Sequence, residues 1–488
     1  MHHHAQFGQH TAGRGARPRR PRASAVTAAA QTPEELGRTR RAVYGASFGF
    51  FVDMFDVYLP TVALVPAMNY FTPDSMPDGT RAILSALIFV ATLLGRPVGS
   101  VVFGWFADRV GRRRVTLFSV TGCAICTALI ALLPGYATLG ITSTVLLLVL
   151  RLVDGVFMGG EYTGATPLAM EASPQGKRGW YGGVVGAGSA FANCAIAGVT
   201  LVVLQFAHEG GPDSAYSTWG WRIPFAVGAV LCAVFLVYYS RSVEESETWR
   251  AAPKAKNPLR EIVLGRSRRD FAQVFVLMTG VWFASAIASG LLPSALHKEG
   301  HISATEVTGA LVIAQGVHAV FFPFMGLLSE RIGRRTFIAW NGVGVAVVCA
   351  GSFAALALGR WSGFGVMLLI AFLVRLTGGS VFSVMPSYLC ERFPPATRGS
   401  GFGLGYSTPL VITSFYAYYQ DWLGHLMPRG YTAVVLLVLG GALISCGALI
   451  GPETTHVDLA TDDAPADPGT ALGSRQVSSP GPLGGPAS

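Results

Sequence analysis

Charge is what this chain has least of. Asp, Glu, Lys and Arg make up 13% of its 488 residues, where a soluble domain carries about a quarter. That shortage excludes an ordinary water-soluble globule, and a hydrophobic content of 51% points to a membrane. Apolar runs of about 20 residues, without the alternation of a barrel strand, read as spanning helices. Other absences narrow the function. No G-x-x-x-x-G-K sequence followed by Ser or Thr occurs, which argues against direct ATP hydrolysis. No Ser/His/Asp set and no metal-ligand spacing stands out, so no enzyme, cofactor or metal site is expected. The seven cysteines mostly lie in apolar runs and read as small buried side chains. Cys123 and Cys126 form a C-x-x-C without a soluble redox context. The stretch to about Arg41 has no hydrophobic signal core. Residues 1–41 and 457–488 read as disordered tails, the first basic, the second rich in Ala, Gly, Pro and Ser. His2, His3 and His4 carry no functional reading.

What the chain has is a repeat. Gly104-Trp105-Phe106-Ala107-Asp108-Arg109-Val110-Gly111-Arg112-Arg113 and Gly326-Leu327-Leu328-Ser329-Glu330-Arg331-Ile332-Gly333-Arg334-Arg335 share G-x-x-x-acid-R-x-G-R-R. Each sits between two apolar runs. Twelve apolar segments are read: about 43–70, 81–104, 114–134, 138–160, 179–206 and 220–240, then 271–296, 304–328, 336–358, 362–388, 399–422 and 431–451. The repeat continues beyond the hairpin. Arg151 in segment 4 matches Arg375 in segment 10, and Glu171 with Arg178 matches Glu391 with Arg398. The predicted fold is an all-α membrane protein: two six-helix bundles, 42–240 and 271–456, joined by a basic, part-helical linker at 241–270. Same order and same orientation in both halves make it a parallel repeat.

Net charge is +9, and its distribution favours orientation over nucleic acid as the explanation. With the N-terminus inside, the inner loops hold Arg109, Arg112–Arg114, Lys177, Arg178, the linker cations, Arg331, Arg334, Arg335, Arg392 and Arg398. The outer loops hold only Arg81, Arg222, Lys298, Arg360 and Arg429. This asymmetry predicts both termini cytoplasmic.

These residues resemble the major facilitator superfamily, whose signature is the hairpin motif between segments 2 and 3 with a weaker echo between 8 and 9. Several runs are similar to the metabolite:proton symporter branch, which carries proline/betaine, 2-oxoglutarate, shikimate and citrate-type permeases. They are Gly95-Arg96-Pro97-Val98-Gly99, Gly159-Gly160-Glu161-Tyr162 followed by Glu171, Lys177-Arg178-Gly179, and Trp219-Gly220-Trp221-Arg222-Ile223-Pro224-Phe225. Two departures stand out. Asp53-Met54-Phe55-Asp56-Val57 replaces the family's E-W-aromatic-D-F, and Asp154 replaces a glutamine one turn after Arg151. The resemblance implies a monomeric, proton-coupled carrier of the inner membrane. It would take up a small organic acid or zwitterion by alternating access. Proton-antiport efflux is the alternative, and a transporter-fold sensor the alternative of another class.

Ions within apolar segments are the candidate site, because each costs about 2.5–3.5 kcal/mol at mid-helix unless paired or wet. Asp53 and Asp56 lie three apart on one helix face and resist ionising together. With Arg151, Asp154 and Glu161 they are the proton-coupling candidates. Arg151 and Arg375 are expected to face one central cavity and hold an anion, lined by Phe51, Tyr58, Trp282 and Phe321. Arg96 reads as structural and His318 as scaffold. The hairpins are expected to latch the two halves at their inner ends. Asp108 would meet arginines and the start of segment 11, while Glu171 with Arg178 and Glu391 with Arg398 would extend the network.

Overall fold

In the computed structural model, residues 32–460 are described apart from positions 74, 209, 212, 301, 302 and 360. Most of the two predicted tails therefore lies outside the described residues, as does Arg360. The described chain is helical throughout, with no strand among the described residues. The first half comprises α1 (Pro33–Leu59), α2 (Asp78–Val110), α3 (Arg112–Ala131), α4 (Ile141–Glu171), α5 (Arg178–Phe206) and α6 (Arg222–Ser242). The second comprises α7 (Arg268–Gly290), α8 (Ala304–Ile332), α9 (Arg334–Gly344) and α10 (Phe364–Gly379), then α11 (Arg398–Ser407) and α12 (Thr432–Ile450). Beyond these bounds α1 runs on through π and 3-10 turns to Tyr70, α9 through a π turn to Ala357, and α10 through a 3-10 turn to Arg392.

Eleven of these stretches are long and apolar enough to cross a membrane. The twelfth expected span, 399–422, is broken. After α11 come short helices Leu410–Thr413 and Tyr416–Gly424. Pro409 stands at the first break, where it has no N–H to continue the ladder. The tail boundary at residue 41 is also corrected. Thr32 and Glu35 form a capping box, with Pro33 at the first helical position, so α1 begins nine residues before the expected start of the bundle at 42.

Both hairpins turn on a glycine that needs φ > 0. Gly111 has φ 122° and Gly333 has φ 93°, a region that costs an L-residue about 1–2 kcal/mol. The motif's second glycine is thus a backbone requirement. Its first glycine is a packing requirement. A Cβ on Gly104 would lie 2.9 Å from the Ser400 Cα of α11, and one on Gly326 would lie 2.0 Å from the Gly179 carbonyl of α5. The halves meet along these two lines, α2 on α11 and α5 on α8. Small side chains there permit backbone approach without a hydrophobic driving force.

Candidate functional site

Buried ions gather in three places. The first is inside the first half. Asp53 and Asp56 project from one face of α1, as their spacing requires. Asp53 Oδ2 accepts from Arg96 Nη2 of α2 at 2.8 Å, both side chains 1% exposed. Asp56 Oδ2 accepts from Arg151 Nη1 at 2.8 Å, its backbone carbonyl from Nη2 at 3.0 Å, and its Oδ1 from Thr127 Oγ1 at 2.9 Å. Arg151 Nη1 also reaches Asp154 Oδ2 at 3.0 Å. Glu161 adds a fourth carboxylate, and neither of its oxygens has a hydrogen-bond partner. It rests against Gly49, where a Cβ would sit 2.1 Å from Oε1. A cavity of about 10 Å³, lined by Asp53, Asp56, Glu161, Cys123 and Cys232, joins these groups. That is room for about one water. Four carboxylates thus share two guanidiniums in a space with almost no solvent.

The second place is inside the second half, and it is cationic. Arg375 of α10 donates to Ser289 Oγ of α7 at 2.9 Å. No carboxylate lies within ion-pair distance of it among the described residues, and its Nε has no partner. Tyr58 of α1 and Cys194 of α5, both from the other half, lie within its electrostatic reach, as does His318. His318 sits 3.3 Å from Ser380 Oγ with its ring on Phe322, so it is packed scaffold.

The expectation that Arg151 and Arg375 line one chamber is therefore corrected. Arg151 is fully buried within the first half, wrapped by Asp56 and Asp154. The Asp154 substitution supplies the second acid that holds it there. Among the expected aromatic liners, Tyr58 lies near Arg375, while Phe51 packs on Phe48 and Phe55. Trp282 Nε1 donates to the Tyr406 carbonyl at 2.7 Å. Tyr406 in turn lies 4.5 Å from the Tyr162 ring of α4, forming an aromatic plug across the halves. Phe321 stands apart, 38% exposed and edge-on to Phe372.

The third place is the hairpin end, where the two motifs build the same clasp twice. Asp108 accepts the backbone N–H groups of Gly399 and Ser400, each at 2.9 Å, at the start of α11. Glu330 accepts the N–H of Gly179 at 2.6 Å, at the start of α5. Helix N-termini present unsatisfied donors, so each acid caps a helix of the opposite half. Behind Asp108, Arg112 pairs with Glu171. Behind Glu330, Arg334 pairs with Glu391 at 2.6 Å. The expected pairs Glu171–Arg178 and Glu391–Arg398 are exchanged. Glu171 holds Arg398, and Arg178 lies 4.0 Å from Glu391. Each arginine opens a helix that crosses the seam, so it finds the other half's glutamate. Arg109 stacks over Trp105 at 4.1 Å and donates to the Lys256 carbonyl. Arg331 is exposed.

Sequence reasoning missed the outer layer of this clasp. Glu245 accepts the N–H groups of Arg112 and Arg113, and Glu453 those of Arg334 and Arg335. Ser246 donates to Glu171, and Thr454 donates to Glu391 at 2.7 Å. Past Glu453 the chain continues across the seam. Arg178 donates to the Val457 carbonyl at 2.6 Å and Arg398 to the Leu459 carbonyl at 3.0 Å. The available signal was the placement of S-x-E-E and P-E-T-T just after the last helix of each half.

Two parallel six-helix repeats, meeting at a seam latched by ions at one end, define a multi-pass membrane carrier. Comparison with known proteins identifies it further. The Major Facilitator Superfamily model matches residues 46–410 and 274–481. The inner membrane metabolite transport protein YhjE of Escherichia coli (strain K12) is 31% identical, over 87% of this chain and 96% of its own length. The alpha-ketoglutarate permease of the same organism is 31% identical over 80% and 88%, and its shikimate transporter 28% over 84% and 93%. Among solved structures, the proton:xylose symporter XylE aligns with a TM-score of 0.68 at 16% identity, over 87% of this chain and 98% of that one. The chain belongs to the major facilitator superfamily, and it is a transporter rather than an enzyme.

Proposed function

We propose that this carrier takes up a small carboxylate or zwitterion together with protons across the bacterial inner membrane, as a monomer with both termini cytoplasmic. The observation that carries the proposal is the opposite charge of the two interiors. In the first half four carboxylates meet two guanidiniums. Full ionisation there would leave two uncompensated charges in a low-dielectric space, which is costly enough that protons take their place. Glu161, with no partner for either oxygen, is the group on which a proton is held and released. In the second half Arg375 has no acid within ion-pair distance among the described residues, so a substrate carboxylate supplies one. Asp53, Asp56, Arg151 and Asp154 set the charge balance around Glu161. Tyr58 lies two residues past Asp56 on α1 and within electrostatic reach of Arg375, so proton and substrate occupancy influence each other there, in both directions.

The hairpin end is latched in this structure, and we assign it to the cytoplasmic side from the arginine asymmetry. Release of substrate inward then requires Asp108 and Glu330 to leave the helix starts they cap. The related alpha-ketoglutarate permease and shikimate transporter are named for carboxylic acids, which supports the substrate class.

The test is uptake into proteoliposomes of labelled dicarboxylates, shikimate and betaines, with and without an imposed inward proton gradient. Accumulation that depends on the gradient, and is lost in Arg375→Ala with counterflow of no substrate remaining, supports the proposal. Gradient-independent accumulation ends the symport reading, and proton-driven extrusion would put efflux in its place.

A further inference from the structure

A wide cleft lies away from both charged interiors. It has a volume of about 1320 Å³ and opens between the linker, the start of α7 and the end of α12. Nothing in transport by the seam uses it. Lys256, Arg260 and Arg266 line it, all exposed, and no carboxylate lies within ion-pair distance of any of the three among the described residues. Each of its two lining acids already has a partner. Glu261 turns back to accept the Arg266 backbone N–H at 3.1 Å, and Asp270 pairs with Arg392. Its lining also carries apolar side chains, with Leu264 72% exposed, Ile450 67% exposed, and Val276.

Its lining is drawn from two spanning helices and from the linker. Ile450 is the last residue of the apolar helix α12, and Val276 lies two turns inside α7. Arg266 precedes the first turn of α7, and Lys256 and Arg260 belong to the polar linker. Apolar residues of two spanning helices therefore share one cleft with three cations that have no ion-pair partner among the described residues. A soluble anion would leave the apolar lining bare. A neutral lipid would leave the cations without counter-charge. Basic pockets of this kind suit an anionic head with acyl chains attached.

We infer that this cleft is a binding site for an anionic phospholipid, with its phosphate on Lys256, Arg260 and Arg266 and its acyl chains over Leu264, Val276 and Ile450. The site is joined to the latch. Arg109 of the first hairpin donates to the Lys256 carbonyl, and Trp249 Nε1 donates to the Asp108 carbonyl at 3.0 Å. A lipid that orders residues 254–266 therefore also steadies the linker against the latched hairpin. The inference does not depend on which solute is carried or on proton coupling.

The experiment reconstitutes the full chain in vesicles of equal parts phosphatidylglycerol and phosphatidylcholine. After gentle extraction, the ratio of the two lipids retained per protein is measured. The wild type is expected to keep phosphatidylglycerol preferentially. The variant K256Q/R260Q/R266Q is expected to lose about tenfold of that preference, while K177Q/R114Q/R241Q, with the same charge change on exposed residues outside the cleft, keeps it. Equal loss in both variants, or no preference in the wild type, overturns the site. Inorganic pyrophosphate is the second arm, and it needs only the wild-type protein. If it displaces the retained phosphatidylglycerol at millimolar concentration, the cleft is a soluble-phosphate site and the lipid assignment fails. If it does not, the acyl chains are contributing and the assignment holds.

Discussion

The two halves carry the same hairpin and opposite interiors. In the first, Asp53, Asp56, Asp154 and Glu161 outnumber Arg96 and Arg151. In the second, Arg375 donates to the Ser289 hydroxyl and has no acid within ion-pair distance among the described residues. A duplicated framework thus keeps its latch in both copies, while its centre diverges. The latch is constrained by helix geometry, since a capped N-terminus needs an acid at one position. The centre is constrained only by what must bind there. The lesson is that the repeat explains how the protein moves, and the broken symmetry explains what it moves.

The comparison can be broken or sharpened by substitution. The largest stability effect is expected for Arg151→Leu, which leaves Asp56 and Asp154 buried without their cation. Removing one partner of such a pair costs about 3–5 kcal/mol, to be read as a fall in the melting temperature of the detergent-solubilised protein. Arg375→Ala is the matched change in the other half. It strands no charge, so stability should shift by less than about 1 kcal/mol, while the KM for a carboxylate substrate rises tenfold or more. A melting shift as large as that of Arg151→Leu would show that the second interior also hides a structural ion pair. Glu161→Gln breaks no hydrogen bond and should melt no lower than the wild type. It should abolish gradient-driven accumulation and leave counterflow intact.

The latch offers a finer contrast. Glu171 holds Arg112 within its own half and Arg398 across the seam, whereas Glu391 touches its cross-seam partner only at 4.0 Å. Glu171→Gln should therefore open the hairpin end more often than Glu391→Gln. A charge-assisted hydrogen bond is worth about 1.5–3 kcal/mol. Spin-label distances between residues 106 and 402 would read the difference, and equal opening would mean the two arms are equivalent. Gly111→Ala acts on the hairpin backbone, at a cost of about 1–2 kcal/mol from its φ of 122°, to be read as a lower melting temperature with transport retained.

Much of this was legible in the chain. Segment boundaries follow from hydropathy because a bilayer demands long apolar helices. Asp108 opposite the start of α11 follows from the motif, since an acid ending one helix is suited to cap another. Three things were not legible. Arg151 matches Arg375 in register, yet one is locked by acids and the other is not, because Asp154 adds a partner from its own helix. Glu171 and Arg178 lie close in sequence, yet each pairs across the seam, because helix direction and not spacing decides where a guanidinium points. Glu245 and Glu453 drew no reading from the sequence, and only the fold brings them onto the hairpin N–H groups.

The chain by itself determined that this is a helical membrane carrier in two like halves, because spanning length and repeated motifs are local properties that neighbours cannot override. The tertiary structure decided which ions neutralise one another and which are left for a ligand. Charges interact through space at a few ångströms, and residues brought that close here are separated in sequence by 43 positions for Asp53 and Arg96 and by 227 for Glu171 and Arg398.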